Sequence, residues 1–309
     1  MIIKGILVTL VAPMTDHIAN AGEKILGNAS SIKQRPDGRV YISGQKQRHA
    51  LFSALDRLNL VDWVRGDTYI SNGDGITTII ERDIRADLGG FLATEKDNYS
   101  GRRTSPLTAT PAVALEPSEV GRDLLIRLKV NPDKDSERNQ ALATREYSQH
   151  DDMVMSFFID SGAVGIRRRC TYEKELHIHT EFVKHIPEPE RKRRVRLALE
   201  ATGVLTDYAN NARNATSGEP QQVLLVFDSR LSRKASRYYR AGDVERYNIL
   251  AELKKRGAVY FVGNDKDGSA DSVAVAYEKA LDFLDANELY DPAGGDSKII
   301  STADLERGK

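Results

Sequence analysis

A concentration of cationic side chains between residues 33 and 48 could bind a chain of phosphates. Within it, Ser43 is a good helix N-cap residue, and Leu51, Leu55 and Leu58 follow as an apolar stripe at helical spacing. Free N–H groups at a helix start attract phosphate oxygens, and lysine or arginine neutralises their charge. The cations are Lys33, Arg35, Arg39, Lys46 and Arg48. The pattern indicates backbone-directed nucleic-acid binding or, alternatively, the solvated face of an ordinary amphipathic helix.

Hydrophobic patterning predicts the elements that would position these residues. Strands are predicted at residues 2–11, 153–160, 222–227 and 258–262, and helices at residues 43–60, 188–211 and 270–286. Pro187 and Pro189 mark the start of the second helix. The long middle segment is rich in glycine, proline and polar residues, which is typical of extended loops and hairpins. It is therefore interpreted as an insertion.

Composition narrows the class of protein. The 309 residues include 45 Lys plus Arg and 45 Asp plus Glu, so the net charge is zero and an indiscriminate polycation is excluded. Cations nonetheless cluster locally, at residues 33–48, 102–103, 167–169, 191–196 and 233–240. The first residues have the pattern of a strand and not of a signal peptide, and no apolar run is long enough to span a bilayer. The single cysteine, Cys170, fits a reducing compartment. We expect a cytoplasmic protein with no membrane partner.

A resemblance to a known family sharpens this prediction. The run GRVYISGQKQRHAL at residues 38–51, preceded by Gly27 and Asn28, resembles the signature of the DevR-like (Cas7) family, the backbone subunits of type I Cascade complexes. The aromatic strand MVMSFFID, the loop TDYANNARNATSGEP and the strand VLLVFDS follow in the order of those proteins. Arg103-Thr104-Ser105-Pro106 is similar to a basic segment in the family's long insertion. The loop at residues 210–216 departs from the family by being weak in glycine.

The resemblance implies a fold and a domain organisation. We expect an α+β fold with a ferredoxin-like, RRM-like palm that carries finger and thumb insertions. The palm with its thumb would be discontinuous, spanning residues 1–60 and 150–290. The finger insertion would span residues 61–149, and residues 291–309 would form a polar, mobile tail.

The resemblance also implies a function and partners. Several copies of the chain would assemble along a CRISPR RNA, hold its phosphates and leave its bases free to pair with target DNA. Expected partners are the CRISPR RNA, target DNA, further copies of the chain, and Cas5-like and other Cascade subunits. The residues expected to contact the RNA are Asn28, Lys33, Arg35, Ser43, Gln45, Lys46, Arg48, Arg102, Arg103 and Arg213.

Other readings of these residues remain open. Asn28 could stabilise a turn, Arg102 and Arg103 could be solvated, and the loop around Arg213 could be a helix C-cap followed by a turn. The cations at residues 191–196 lie at a helix start, which is unfavourable unless carboxylates or an anion approach, and a solvated face is the commoner explanation.

Enzymatic and regulatory alternatives find less support. His177 and His179 would project from one face of a strand, where Glu175 or Glu181 could complete a metal site. Metal-dependent RNA cleavage would need a loop aspartate, for which the candidates lie in no convincing motif; they are Asp16 and Asp37. A duplex-DNA autoregulator would be expected to show a helix-turn-helix or a basic dimerising helix, and neither is evident. Without a Walker loop, dinucleotide fingerprint or nucleophile elbow, we expect no catalytic residue, no metal and no cofactor.

Overall fold

The computed structural model describes residues 1–25, 29–61, 77–92, 102–130, 138–174, 176–212, 214–295 and 297–307. Its strands are β1 (Ile2–Ile3), β2 (Gly5–His17), β3 (Glu23–Ile25), β4 (Ala29–Ser31), β5 (Tyr41–Ile42), β6 (Phe91–Leu92), β7 (Arg102–Arg103), β8 (Leu107–Ala109), β9 (Ala112–Ala114), β10 (Val120–Val130), β11 (Arg138–Asp160), β12 (Ile166–Glu173), β13 (Leu176–Lys184), β14 (Gln222–Asp228), β15 (Val259–Asn264) and β16 (Glu288–Leu289). Its helices are α1 (Gly44–Val61), α2 (Ile84–Gly89), α3 (Glu188–Ala201), α4 (Asp243–Lys255), α5 (Val273–Ala286) and α6 (Thr302–Arg307), with 3-10 helices at Ser161–Ala163 and Lys234–Arg240.

A mixed α+β architecture is built on a central antiparallel sheet. Neighbouring strands follow the order β15-β14-β2-β11, and β8 and β9 pair with the other edge of β11. The sequence of β2, GILVTLVAPMTDH, is apolar at successive positions in its first half, and those side chains are buried on both faces. The same holds for β14, whose predicted continuous apolar run is buried from Val223 to Asp228.

Helices cover both faces of this sheet. Apolar residues of α1, α3 and α5 pack on one face, where Leu51, Leu197 and Ala280 belong to the larger core. The second 3-10 helix and α4 pack on the other face, where Tyr239 and Ile249 belong to a smaller core. We call these the α1 face and the α4 face of the sheet.

Several predicted elements are confirmed, with shifts that have local causes. The helix predicted at residues 43–60 is α1, displaced by one residue at each end. The helix predicted at residues 188–211 ends at Ala201, because Thr202 donates its hydroxyl to the carbonyl of Leu199 (2.6 Å) and Gly203 follows. The strand predicted at residues 153–160 is the second half of β11, which is 23 residues long.

The middle segment contributes more to the core than predicted. Ile84 and Leu88 of α2, and Leu107, Ala112 and Ala114 of β8 and β9, belong to the larger core. The predicted insertion boundary between residues 149 and 150 falls inside β11, whose first half pairs with β10 in a ribbon and whose second half pairs with β2. The ribbon is therefore a continuation of a central strand.

Several residues of the segment predicted to be a polar tail make contacts with the rest of the protein. Thr302 is buried and donates its hydroxyl to the carboxylate of Glu81 (2.6 Å). The amide of Ile300 donates to the carbonyl of Lys184, and the Lys184 ammonium pairs with Asp291 at 2.5 Å. Among the helices of the described residues, none is long and apolar enough to cross a membrane.

Candidate nucleic-acid interface

The start of α1 has the geometry that the sequence predicts. Ser43 accepts a hydrogen bond at its hydroxyl oxygen from the backbone N–H of Lys46 (3.2 Å), so it is the N-cap. The side chain of Gln45 is exposed and that of Lys46 is half-buried, while Gln47 is buried and accepts at its Oε1 from the Tyr208 hydroxyl (3.1 Å). The outward face of the first turn therefore offers an amide and an ammonium to a ligand.

An acidic residue from another part of the chain, Asp207, lies beside α1 one turn after Lys46. His49 lies 3.1 Å from the carboxylate of Asp207. Burial raises the pKa of Asp207, but a hydrogen bond from Ser53 and the charges of Lys46 and His49 outweigh burial and lower it. An anion arriving at Lys46 would compete with this carboxylate, so the accessible cationic surface ends near the first turn.

Arg48 points into the protein instead of toward a ligand. Its guanidinium donates to the carbonyl oxygen of Gly89 and to the hydroxyl of Ser105 (3.3 Å), and it lies over the Phe52 ring at 5.3 Å. Burial lowers the pKa of Arg48. These contacts tie α1 to α2 and to the start of β8, and the geometry gives Arg48 a packing role.

The loop before α1 is a tight hairpin. The amide of Arg35 donates to the carbonyl of Arg39 (2.9 Å), and Gly38 makes the turn with a φ of 78° that favours glycine. Asn20 fixes the base of the hairpin by donating to the carbonyls of Lys33 and Tyr41. The Arg35 side chain is exposed, while those of Lys33 and Arg39 are half-buried. The hairpin therefore presents the predicted cations beside the start of α1.

Sequence reasoning missed one cation that the fold brings to this hairpin. Arg240, at the end of the second 3-10 helix, lies close enough to Arg35 and Arg39 for their charges to add to burial in lowering its pKa. The signal in the sequence was only the basic cluster at residues 233–240. Nothing in it indicated that about 200 residues of chain return this cluster to the hairpin.

Arg103, a predicted contact, is enclosed in the protein. Its Nη2 pairs with Asp87 and donates to the carbonyl of Ala163 (2.8 Å), while Nη1 donates to the carbonyl of Ile166 (2.9 Å). Its Nε donates to the Asp87 carbonyl (3.0 Å), and only 7% of the residue is exposed. Arg103 is therefore held mainly by acceptors of the protein itself.

The arginines at the start of α3 share this buried network, where a solvated face was the commoner expectation. Arg194 is fully buried and pairs with Asp87 (2.7 Å) and Glu190 (2.8 Å), and Arg191 pairs with Glu188 (2.5 Å). Burial lowers the pKa of Arg103. In Arg194 burial acts the same way, but the attraction of Asp87 and Glu190 outweighs it and raises the pKa. These carboxylates offset the unfavourable position of cations at a helix start.

Three predicted contacts fall wholly or partly outside the described residues: Asn28, Arg213 and the side chain of Arg102. Around Arg213, the amide groups of Asn210 and Asn214 donate to the backbone carbonyls of Ile18 (3.2 Å) and Asp16 (2.9 Å). Asn210 has a φ of 62°. These amides hold a turn against the end of β2, whereas the helix C-cap that the alternative reading placed here lies earlier in the chain, at Thr202.

The predicted same-face pair of histidines is not formed. The pairing of β12 with β13 shifts by one residue, so that Thr171 pairs with His179 but Tyr172 pairs with His177. This bulge turns the two imidazoles to opposite faces, and His177 Nε2 lies 2.6 Å from the Thr180 hydroxyl. Glu175 lies outside the described residues, among which no three His, Cys, Asp or Glu side chains form a group that could hold a metal ion.

The two aspartates weighed as cleavage residues lie apart from any such group. Asp37 accepts at its carboxylate from the backbone N–H of Arg39 (3.2 Å), which is a turn-stabilising contact. Asp16 is exposed at a φ of 45° near the end of β2. Within the described ranges, neither aspartate belongs to a group of side chains that could hold a metal ion.

Comparison with known proteins adds independent findings. A family model described as "CRISPR-associated negative auto-regulator DevR/Csa2" matches residues 33–218, which is more than half of the chain. A solved chain from a "CRISPR RNA-guided surveillance complex" has a TM-score of 0.51 at 13% identity, with 98% of each chain covered. A chain from such a complex described as "pre-nicking" has a TM-score of 0.54 at 11% identity, covering 91% of this chain and 100% of that chain. No curated protein matches.

Proposed function

The chain belongs to the DevR/Csa2 family of CRISPR-associated proteins, and from that premise we propose that it binds CRISPR RNA as the repeating backbone subunit of a type I surveillance complex. The observation that carries the proposal is the start of α1. There, a run that resembles the family signature forms a capped helix N-terminus with Gln45 and Lys46 outward. Such a site binds phosphates without reading bases.

The fold supports a more detailed proposal, a ferredoxin-like palm. In that fold four strands alternate with two helices and lie in the spatial order 4-1-3-2. Here β2, β8 with β9, β11 and β14 follow one another in the chain, with α1 and α3 in the corresponding connections, and lie in the order β14-β2-β11-β8/β9. The two solved chains are similar in fold to this chain over almost its whole length and come from CRISPR surveillance complexes, which is consistent with a shared architecture.

The insertions of the palm follow from this topology. We assign the β10–β11 ribbon to the finger and the β12–β13 hairpin to the thumb, and we place β8 and β9 in the palm although they lie within residues 61–149. Leu124 and Ile126 on the ribbon, and Leu176 and Ile178 on the hairpin, are exposed apolar residues. Such residues on projecting elements are suited to contacts with further copies of the chain.

In this proposal the protein holds the guide and other molecules supply selection and cleavage. Guide bases would pair with target DNA, and Cas5-like and other Cascade subunits would complete the particle in the cytoplasm. No catalytic role is included for the chain. A metal-dependent endoribonuclease has no candidate metal-binding group among the described residues in its favour, and a duplex-DNA autoregulator is favoured only by the wording of the family model's description.

The proposal is tested by purifying the full chain after co-expression with a CRISPR array. Nucleic acid is extracted and sized, and the mass of the particle is measured by light scattering. We expect RNA of one guide length in a particle of several copies. A nucleic-acid-free monomer, obtained with guide production confirmed and with Cascade partner subunits added, would refute the proposal.

A substitution locates the contact. We expect Lys46→Ala to weaken RNA binding and to reduce the slope of log K against log salt by about 0.7, the loss of one phosphate contact on a single strand. Lys254→Ala removes an exposed lysine from the last turn of α4 and is the matched control. Equal salt dependence in the two variants, measured by fluorescence anisotropy, would remove Lys46 from the interface.

A further inference from the structure

Three arginines gather at one edge of the central sheet. Arg35 and Arg39 lie on the hairpin before β5, and Arg240 ends the second 3-10 helix, with its Nη2 3.5 Å from the carbonyl oxygen of Val154. Arg35 lies over the ring of Tyr41, 6.0 Å from its centroid. Two elements far apart in the chain therefore contribute to one cationic surface.

Strand register shows which face of the sheet this surface lies on. Tyr41, Val113, Val154 and Val11 are successive partners across β5, β9, β11 and β2, so their side chains point to one face. Val11 and Val154 belong to the smaller core, which identifies this as the α4 face. The next residue, Ile42, points to the larger core under α1.

The charge of this cluster is poorly compensated. Among the described residues, neither Arg35 nor Arg240 is within salt-bridge distance of a carboxylate. The Nε of Arg39 is buried and has no hydrogen-bond partner in the described part of the chain, and the carboxylate of Asp37 is 3.6 Å from it. Two of the three guanidiniums therefore lack a carboxylate partner within the described ranges, and bringing these like charges together costs free energy unless an anion binds.

We propose that Arg35, Arg39 and Arg240 form a phosphate-binding subsite for a single nucleic-acid strand, with Tyr41 as a platform for a base. Aromatic rings beside arginines are the usual surface for an unpaired strand, since bases stack on the ring while guanidiniums hold phosphates. This inference rests on the proposed function and extends it to the α4 face, which Ser43 and Lys46 do not reach.

The position of the subsite suggests how one strand would use both faces. Strand β5 is two residues long, and α1 begins two residues after it. A strand that crosses the sheet edge at β5 would meet the start of α1 on one side and the three arginines on the other. The ligand is a phosphodiester chain, which could be guide RNA or the target strand paired with it.

The decisive variant is Arg240→Gln in the full-length protein, with Arg237→Gln as the matched control. Arg237 lies on the same 3-10 helix but pairs with Glu245 at 2.7 Å, so it is already compensated. Arg35→Gln, on the exposed hairpin, is a second variant that does not disturb the 3-10 helix. Circular dichroism checks that each variant is folded.

Three probes separate the sources of the phosphates. They are a guide-length RNA bound to the RNA-free protein, complementary single-stranded DNA bound to the RNA-loaded protein, and an oligo(dT) strand bound without a guide. We expect Arg240→Gln and Arg35→Gln each to weaken one of these interactions about tenfold, as the loss of a charged hydrogen bond does, and Arg237→Gln to change it less than twofold. Loss of RNA binding identifies the guide, and loss of DNA capture with normal RNA loading identifies the target strand.

The outcomes also distinguish this inference from the proposed function. If the unsubstituted protein binds all three probes and both variants match it, the subsite is refuted while RNA binding stands. If the unsubstituted protein binds oligo(dT) in a manner that depends on Arg240 but retains no guide RNA, the subsite stands and the proposed function fails. If it binds no probe, both are refuted.

Discussion

Helices α1 and α3 both have cationic residues in their first turns, but these side chains differ in burial. The first turns of α1 contain QKQR, and its Gln45 and Lys46 face outward. The first turns of α3 contain EPERKRR, and its Arg191 and Arg194 are completely buried. The difference shows that a basic run does not by itself indicate a nucleic-acid surface.

The two helices differ in how many carboxylates lie beside the cations of their first turns. Glu188 and Glu190 lie in the first turn of α3 itself, and Asp87 reaches Arg194 from α2. No acidic residue occupies the first turn of α1, and its N–H groups are served by Ser43. Arginine surrounded by its own carboxylates builds the fold, whereas an uncompensated cation is available to an anion.

The largest expected effect comes from breaking the compensation at α3. Asp87→Asn would leave Arg103 and Arg194 without the buried carboxylate that they share, and we expect a loss of about 3–5 kcal/mol in the free energy of unfolding. Chemical denaturation followed by circular dichroism measures this loss.

The control for this variant is an exposed aspartate that does not pair with a buried arginine. Asp243 is fully exposed at the start of α4, 3.9 Å from Arg246, and Asp243→Asn should change stability by about 0.5 kcal/mol or less. If Asp87→Asn were equally mild, the buried network would not be what distinguishes α3 from α1.

A second prediction concerns the pH dependence of stability, because the buried His185 is repelled by Arg103 of the buried network. Among the residues that the structure describes, neither ring nitrogen of the buried His185 has a hydrogen-bond partner. Burial lowers the pKa of His185, and repulsion from Arg103 and Arg167 adds to this, while Glu81 opposes it. Below about pH 6.5, His185 binds a proton in the unfolded chain but stays neutral in the folded protein. The free energy of unfolding therefore decreases as the pH is lowered, by at most about 1.4 kcal/mol per pH unit.

Substitution isolates this contribution. His185→Leu should flatten the fall in stability between about pH 6.5 and pH 5, as followed by denaturation at a series of pH values. His150→Leu, at an exposed histidine, should retain the slope of the unsubstituted protein. An unchanged slope in His185→Leu would show that the acid sensitivity arises elsewhere.

The sequence was informative where local rules decide the outcome. The Ser43 cap and the apolar stripe predicted α1 to within one residue, and the continuous apolar run predicted β14. The sequence was uninformative where distant segments meet. Asp87 lies in a region interpreted as an insertion, and nothing local indicated that it would bind Arg103 and Arg194. The one-residue bulge that separates His177 from His179 likewise depends on the pairing of two strands.

The smallest effect sharpens the comparison at the start of α1. Ser43 accepts a hydrogen bond from the Lys46 N–H, whereas the N-cap residue of α3 is Pro187, which provides no side-chain cap. Ser43→Ala should therefore lower the free energy of unfolding by about 1 kcal/mol, and Ser43→Asn, which retains a capping oxygen, should restore it. Thermal denaturation of the RNA-free protein measures both. Adding RNA then separates two roles of the residue: if Ser43 only caps, both variants bind RNA as tightly as the unsubstituted protein once folded, whereas weakened binding in the stable Ser43→Asn variant would make its hydroxyl a direct contact.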